Sequence, residues 1–334
     1  LSYSSAASDV YKRQPRLSTM RTKVGLRVYI KDMEYNKLPI DFAQQIEILK
    51  ERGMIIRQER DALAQLDSIS YFRLASYWRF MEQNHETHLF RPNTHFSEII
   101  KLYTFDRQLR SLIFTAIQDI EIALRTRIIH HFSMKYGAFW FLNSSLFKDK
   151  DIYDNSIANL RNELGRSKED FIQEHFDKYN TPDCPPVWKT LEVVSFGTLS
   201  KLYCNMRDAH VKKLVAKDFN LPQYLYLESW IRSASVLRNC CAHHARLWNR
   251  RFPIIPKLPQ SLPLEWISTQ HIKPIKLYAQ LCYIAYMEQS ITPNSNFRDE
   301  LISLLSDKPQ LILRAMGFPN EWRNEPLWQY CLKE

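Results

Sequence analysis

Residues 97–136 read S-E-I-I-K-L-Y-T-F-D-R-Q-L-R-S-L-I-F-T-A-I-Q-D-I-E-I-A-L-R-T-R-I-I-H-H-F-S-M-K-Y, a run without glycine or proline. Ile100, Tyr103, Leu109, Leu112, Ile113, Ala116, Ile120, Ala123, Leu124 and Ile128 recur at intervals of three and four, the spacing of one helix face. Gly137 follows as a stop. The spacing predicts one long amphipathic helix, whose apolar face needs other helices against it.

Helical signals continue on both sides. Upstream, Asp41 is placed to cap a helix carrying Phe42, Ile46 and Leu49 and ended by Gly53. A second stretch at 59–66 leads into Y-F-R-L-A-S-Y-W at 71–78, and loop signals fill 83–94. Downstream, 143–186 is polar with a short helical stretch. Helices are predicted over 187–206 and 224–248, and then at 274–289, 297–304 and 309–316. Pro253, Pro256, Pro259 and Pro263 make an extended connector between the two groups. The chain holds only 6 glycines in 334 residues, where about 7% is usual. Doubly wound sheets and phosphate-cradling loops need glycine at their turns, and neither G-x-G-x-x-G nor G-x-x-x-x-G-K-[ST] occurs. The expected fold is an all-α bundle with small helical additions at each end. Its parts would be 38–94, 95–252 and 253–334.

Residues 1–19 stand apart. Their opening, L-S-Y-S-S-A-A-S-D-V-Y-K-R-Q, has no apolar period and resembles translated adapter sequence, so a non-native leader is expected, with Met20 as the start. The chain has 46 Lys+Arg against 36 Asp+Glu, a surplus that suits a polyanionic partner. The 6 cysteines include no C-x-x-C pair, so reduced thiols and a cytoplasmic protein are expected. The most apolar run, 277–287, is too short to cross a bilayer, which takes about 20 residues.

The chemistry-bearing stretch is W-I-R-S-A-S-V-L-R-N-C-C-A-H-H-A-R-L-W-N-R, residues 230–250. Taken as one helix with Asn239 at zero, Arg232 falls near ~20°, His243 near ~40°, Arg246 near ~−20° and Arg250 near ~20°. His244 falls on the apolar side with Trp230, Leu237 and Trp248. Arginine holds phosphate oxygens in a fork and stabilises added negative charge on phosphorus. Histidine can take or give a proton near neutrality. The stripe therefore suits cleavage of a phosphodiester without metal or cofactor, no carboxylate cluster lying beside it. It equally suits gripping RNA without cutting. Arg238 lies about 140° from His243 around such a helix. Either its long stem reaches round, or the helix is distorted near Cys240, or the two act from different chains.

Arg238-Asn239-Cys240-Cys241-Ala242-His243 resembles the R-x4–6-H motif, with a polar residue after the arginine, of HEPN-domain ribonucleases. The longer string R-N-C-C-A-H-H-A-R-L-W-N-R resembles the signature of Abi (AbiD/AbiF-like) abortive-infection proteins. Y-F-R-L-A-S-Y-W at 71–78, L-Y-T-F-D-R-Q-L-R at 102–110, I-E-I-A-L-R-T-R at 120–127 and P-P-V-W-K-T-L-E-V-V-S-F-G-T-L-S at 185–200 match in order. The resemblance spans residues 38–252. It implies an endoribonuclease acting in phage defence, with products ending in 2′,3′-cyclic phosphate and 5′-hydroxyl. In that reading His243 is the general acid/base, Arg238 stabilises the phosphorane and Asn239 positions phosphate or imidazole. Arg232, Arg246 and Arg250 would bind the RNA backbone. A homodimer with a composite site is implied, and a small non-coding RNA partner is conceivable. Arg125–His130, with Glu121 one turn before, is a rival pair. Glu192 is expected to meet an arginine near the site, and His244 to serve a secondary role there.

Overall fold

The computed structural model describes residues 37–269 and 272–329; the expected leader at 1–19 and Cys331 lie outside the described residues. Among the described residues the fold is all-α apart from one small hairpin, and the chain forms two compact units that divide at Phe105/Asp106.

In the first unit, α1 (Phe42–Glu51), α2 (Glu59–Ile69) and α3 (Tyr71–Trp78) precede a hairpin of β1 (Glu82–Asn84) and β2 (Leu89–Phe90). Asp41 and Gln44 close a reciprocal capping box at the start of α1, which satisfies two otherwise unpaired backbone N–H groups. Ile46, Leu49, Leu66, Leu74, Tyr77 and Trp78 form the core. The aromatic segment at 71–78 is thus mostly packing, with Phe72 the exposed exception.

The predicted long helix is present as α4 (Phe96–Tyr136). Leu109, Ile113, Ala116, Ile120, Leu124 and Ile128 are buried as expected, whereas Ile100, Tyr103, Leu112 and Ala123 are half-buried at the flanks of that face. Within the second unit follow α5 (Lys150–Arg166), α6 (Asp170–Lys178), α7 (Val187–Thr190), α8 (Phe196–Asn205), α9 (Ala209–Lys217) and α10 (Tyr224–Ala242). After the connector come α11 (Leu277–Ile291), α12 (Phe297–Leu305) and α13 (Gln310–Met316). Every residue of α11 from Leu277 to Glu288 is buried, so the most apolar run of the chain is its central helix.

Three expectations need correction. The polar stretch 143–186 contains two helices, because α5 hides only a narrow row of Tyr153, Ile157, Leu160 and Leu164 beneath a charged face. The helix expected over 187–206 is broken into α7 and α8: the Ser195 hydroxyl caps α8 through Thr198 N–H, and Glu163 accepts from Ser195 N–H. The helix expected over 224–248 ends at Ala242.

Candidate functional site

The end of α10 shapes the site. Ala245 N–H donates to the Cys240 carbonyl at 2.8 Å and His244 N–H to that of Cys241 at 3.0 Å. His244 itself is left-handed, with φ 54°. This is a Schellman cap with histidine where glycine usually stands. The histidine expected on the apolar side of the helix is instead the exposed residue that turns the chain back.

A buried carboxylate holds the returning strand. Asp106 of α4, fully buried, accepts from Trp248 N–H at 2.6 Å and from Leu247 N–H at 3.2 Å. It is also hydrogen-bonded and ion-paired with buried Arg110, one turn along α4. Neither residue was assigned a role from sequence, although both lie in the matched segment 102–110. The legible signal was an acid and a base four residues apart on an otherwise apolar face. Cys241 is in the same environment, and burial pushes its thiol up to about 12, with Cys240 adding and Arg110 opposing. Neither deprotonation nor nucleophilic attack suits such a thiol.

The polar stripe is therefore shorter than the helical wheel implied. Arg232 and Asn239 do share one exposed face of α10, and exposed His243 caps its end. Arg246 and Arg250 belong to the turn and are off the stripe. Arg246 lies over the Trp248 ring at 5.9 Å, and Arg250 donates to the Arg246 carbonyl at 3.3 Å.

Arg238 faces α4. Its guanidinium lies 4.0 Å from Glu121 and 5.8 Å from the centre of the Phe114 ring. Glu121 in turn accepts from Arg125 at 2.8 Å, and Arg125 also donates to the Val194 carbonyl at 3.1 Å. Glu121 and Arg125, expected from sequence at a secondary site, are thus joined to Arg238. The rival pairing of Arg125 with His130 is not formed. Arg125 is buried against Glu121, His130 is exposed, and His131 pairs with Asp218 at 2.7 Å. Glu192 is exposed and lines a separate hollow with Glu163, Arg166 and Lys168, so it does not meet an arginine of the α10 motif.

The helix is regular through Cys240, and Arg238 reaches toward α4. A distortion of the helix near Cys240 is thereby removed as a route for bringing these side chains together. The His243 ring makes no hydrogen bond among the described residues and is open to solvent.

Beside Asn239 opens a cleft of about 650 Å³ between α8 and α10. Arg232, Val236 and Asn239 line it from α10, and Lys201 and Cys204 from α8. Below it lies Lys212, fully buried, donating to Glu228 at 2.7 Å and to the Cys204 carbonyl at 2.9 Å. Burial lowers the Lys212 ammonium to about 8 despite the opposing pull of Glu228. Among the described residues no group of three or more His, Cys, Asp or Glu side chains is placed to hold a metal ion. No helix there is long and apolar enough to cross a membrane.

No curated protein and no solved structure matches the chain. A family model described as Abi-like protein matches residues 64–249, from α2 to the turn after α10 and more than half of the chain. That span encloses the Asp106 clamp, the Arg238–Glu121–Arg125 group, Asn239, His243 and all of the cleft lining but Ile254, and on it the chain belongs to the Abi-like protein family.

Proposed function

We propose that this protein is an endoribonuclease of the HEPN type that works without a metal ion and acts in phage defence. Membership of the Abi-like family points to abortive infection as the setting. The observation that carries the enzymatic reading is the state of the α10 motif. His243 sits exposed at the helix end with its ring uncommitted, and Arg238, one turn earlier, keeps a third of its side chain open beside Glu121.

In this reading the imidazole removes the proton from a ribose 2′-hydroxyl, and the 2′-oxygen attacks phosphorus. The P–O5′ bond breaks, a proton is returned to the departing 5′-oxygen, and a 2′,3′-cyclic phosphate remains. Arg238 stabilises the extra negative charge of the phosphorane. A second copy brings its own Arg238 and His243 across a two-fold axis, which makes the homodimer part of the proposal.

The test incubates purified protein with labelled RNA, with and without EDTA. Products bearing 2′,3′-cyclic phosphate are expected in both. His243→Ala should lower cleavage at least a hundredfold and abolish growth arrest while the dimer persists in sedimentation. Undiminished cleavage by that variant overturns the assignment. Full loss in EDTA, restored by a divalent ion, replaces the route with a metal-assisted one. A salt-sensitive shift without products points instead to an RNA-binding protein on the same fold.

A further inference from the structure

Of the residues that line the cleft between α8 and α10, only Asn239 and Arg232 have a role above. Its α10 wall is built from Glu228, Arg232, Ser235, Val236 and Asn239, which recur at helical spacing and span about 16 Å along the axis. Its α8 wall, Gly197, Ser200, Lys201 and Cys204, follows the same rule. Lys148 closes one side, and Ile152 and Ile254 add apolar surface to that of Val236.

The charges in this cleft are unevenly committed. Glu228, its buried-side acid, is held by Lys212 at 2.7 Å from below and lies 3.9 Å from Lys148. Asp149 is occupied in capping α5 through Ile152 N–H. Lys201 and Arg232 form no ion pair among the described residues, and both are exposed. The Cys204 thiol, beside Arg232 in the lining, donates to the Glu228 carbonyl at 3.7 Å. The lining thus presents surplus positive charge along a wall with an apolar strip, ending at the residue next to Arg238. A cleft of about 650 Å³ has the size of a small-ligand site. It takes one or two nucleotides of a strand, not a duplex.

We propose that this cleft seats the backbone of single-stranded RNA next to the bond to be cut, with Lys148, Lys201 and Arg232 on phosphates and a base against Ile152, Val236 and Ile254. The proposal rests on the ribonuclease reading for the place of Asn239, but it makes a binding claim of its own.

The experiment measures anisotropy of a labelled 12-nucleotide strand carrying 2′-fluoro at every position, which cannot be cleaved through a 2′-hydroxyl, over 50–200 mM KCl. Lys148→Glu/Lys201→Glu is compared with Lys168→Glu/Lys178→Glu, an equal charge change on exposed lysines elsewhere in the second unit. The cleft variant should bind at least tenfold more weakly than the control, with a salt slope shallower by about 1.4, two phosphate contacts at roughly 0.7 each. Equal weakening in the two variants, or no binding by the wild-type protein, overturns the proposal. Cleavage of ordinary RNA separates the two readings. Wild-type cleavage with kcat and KM unchanged in the cleft variant rejects the cleft and leaves the enzyme. Strand binding that depends on Lys148 and Lys201 without any cleavage keeps the cleft and rejects the enzyme.

Discussion

Asp106→Asn is the most informative single change, because one buried carboxylate connects α4 to the turn that follows the α10 motif. In the wild-type protein Asp106 answers the Arg110 guanidinium and two backbone N–H groups, Leu247 at 3.2 Å and Trp248 at 2.6 Å. The amide keeps the shape and one acceptor oxygen, but it loses the charge and turns an NH2 toward donors. Hydrogen bonds to a charged group contribute about 1.5–3 kcal/mol, and a buried donor left unpaired costs about 1–3 kcal/mol. Losing the charge toward Arg110 and one N–H partner gives a local cost of about 3 kcal/mol. That corresponds to roughly a hundredfold in an opening equilibrium. Because the chain has two compact units, a single unfolding free energy is a poor measure. Native-state hydrogen exchange reads the effect directly: the amides of residues 245–248 should exchange about a hundred times faster, with those of α11 unchanged. Asp106→Leu combined with Arg110→Met should recover part of the loss, since a hydrophobic replacement of a buried pair is often neutral, but not the two N–H groups. Exchange at 245–248 altered by less than threefold in Asp106→Asn refutes the clamp.

Glu288 is buried, its Oε1 has no hydrogen-bond partner, and only Ser295 answers its Oε2, at 2.8 Å. Burial raises its carboxyl from 4.5 to about 7, opposed by Ser295 and helped by Asp119. The folded state thus binds a proton that the unfolded chain has released, so stability falls as pH rises from about 5 to about 7.5, by up to ~3 kcal/mol. Glu288→Gln should therefore match the wild-type melting temperature near pH 5 and exceed it by several degrees at pH 8, and an equal difference at both pH values rejects this account. His244→Gly should stabilise the end of α10 by about 1 kcal/mol, the usual cost of a left-handed non-glycine residue, and leave RNA cleavage intact. Loss of cleavage in a more stable His244→Gly protein would show that the imidazole itself is used.

How far the sequence could be read depends on the range of the interactions involved. The helical class, the length of α4, the Asp41 cap and the buried α11 were legible because three-and-four periodicity, caps and breakers are recorded within a few neighbouring residues. Arg238, Asn239 and His243 were nameable because the motif is contiguous. The extent of α10 was not legible. Leu247 and Trp248 keep helical spacing, are buried in either conformation, and no glycine or proline marks the stop. What ends the helix is a left-handed His244 secured by a carboxylate 142 residues away. The grouping of Arg238 with Glu121 and Arg125 has the same origin, as do the open ring of His243 and the cleft that Lys148 and Lys201 share with Arg232. Each depends on how segments distant in the sequence pack together. Local sequence determined which residues could do chemistry, and packing between helices decided which of them meet, because hydrogen bonds and ion pairs across a bundle leave no period in the chain.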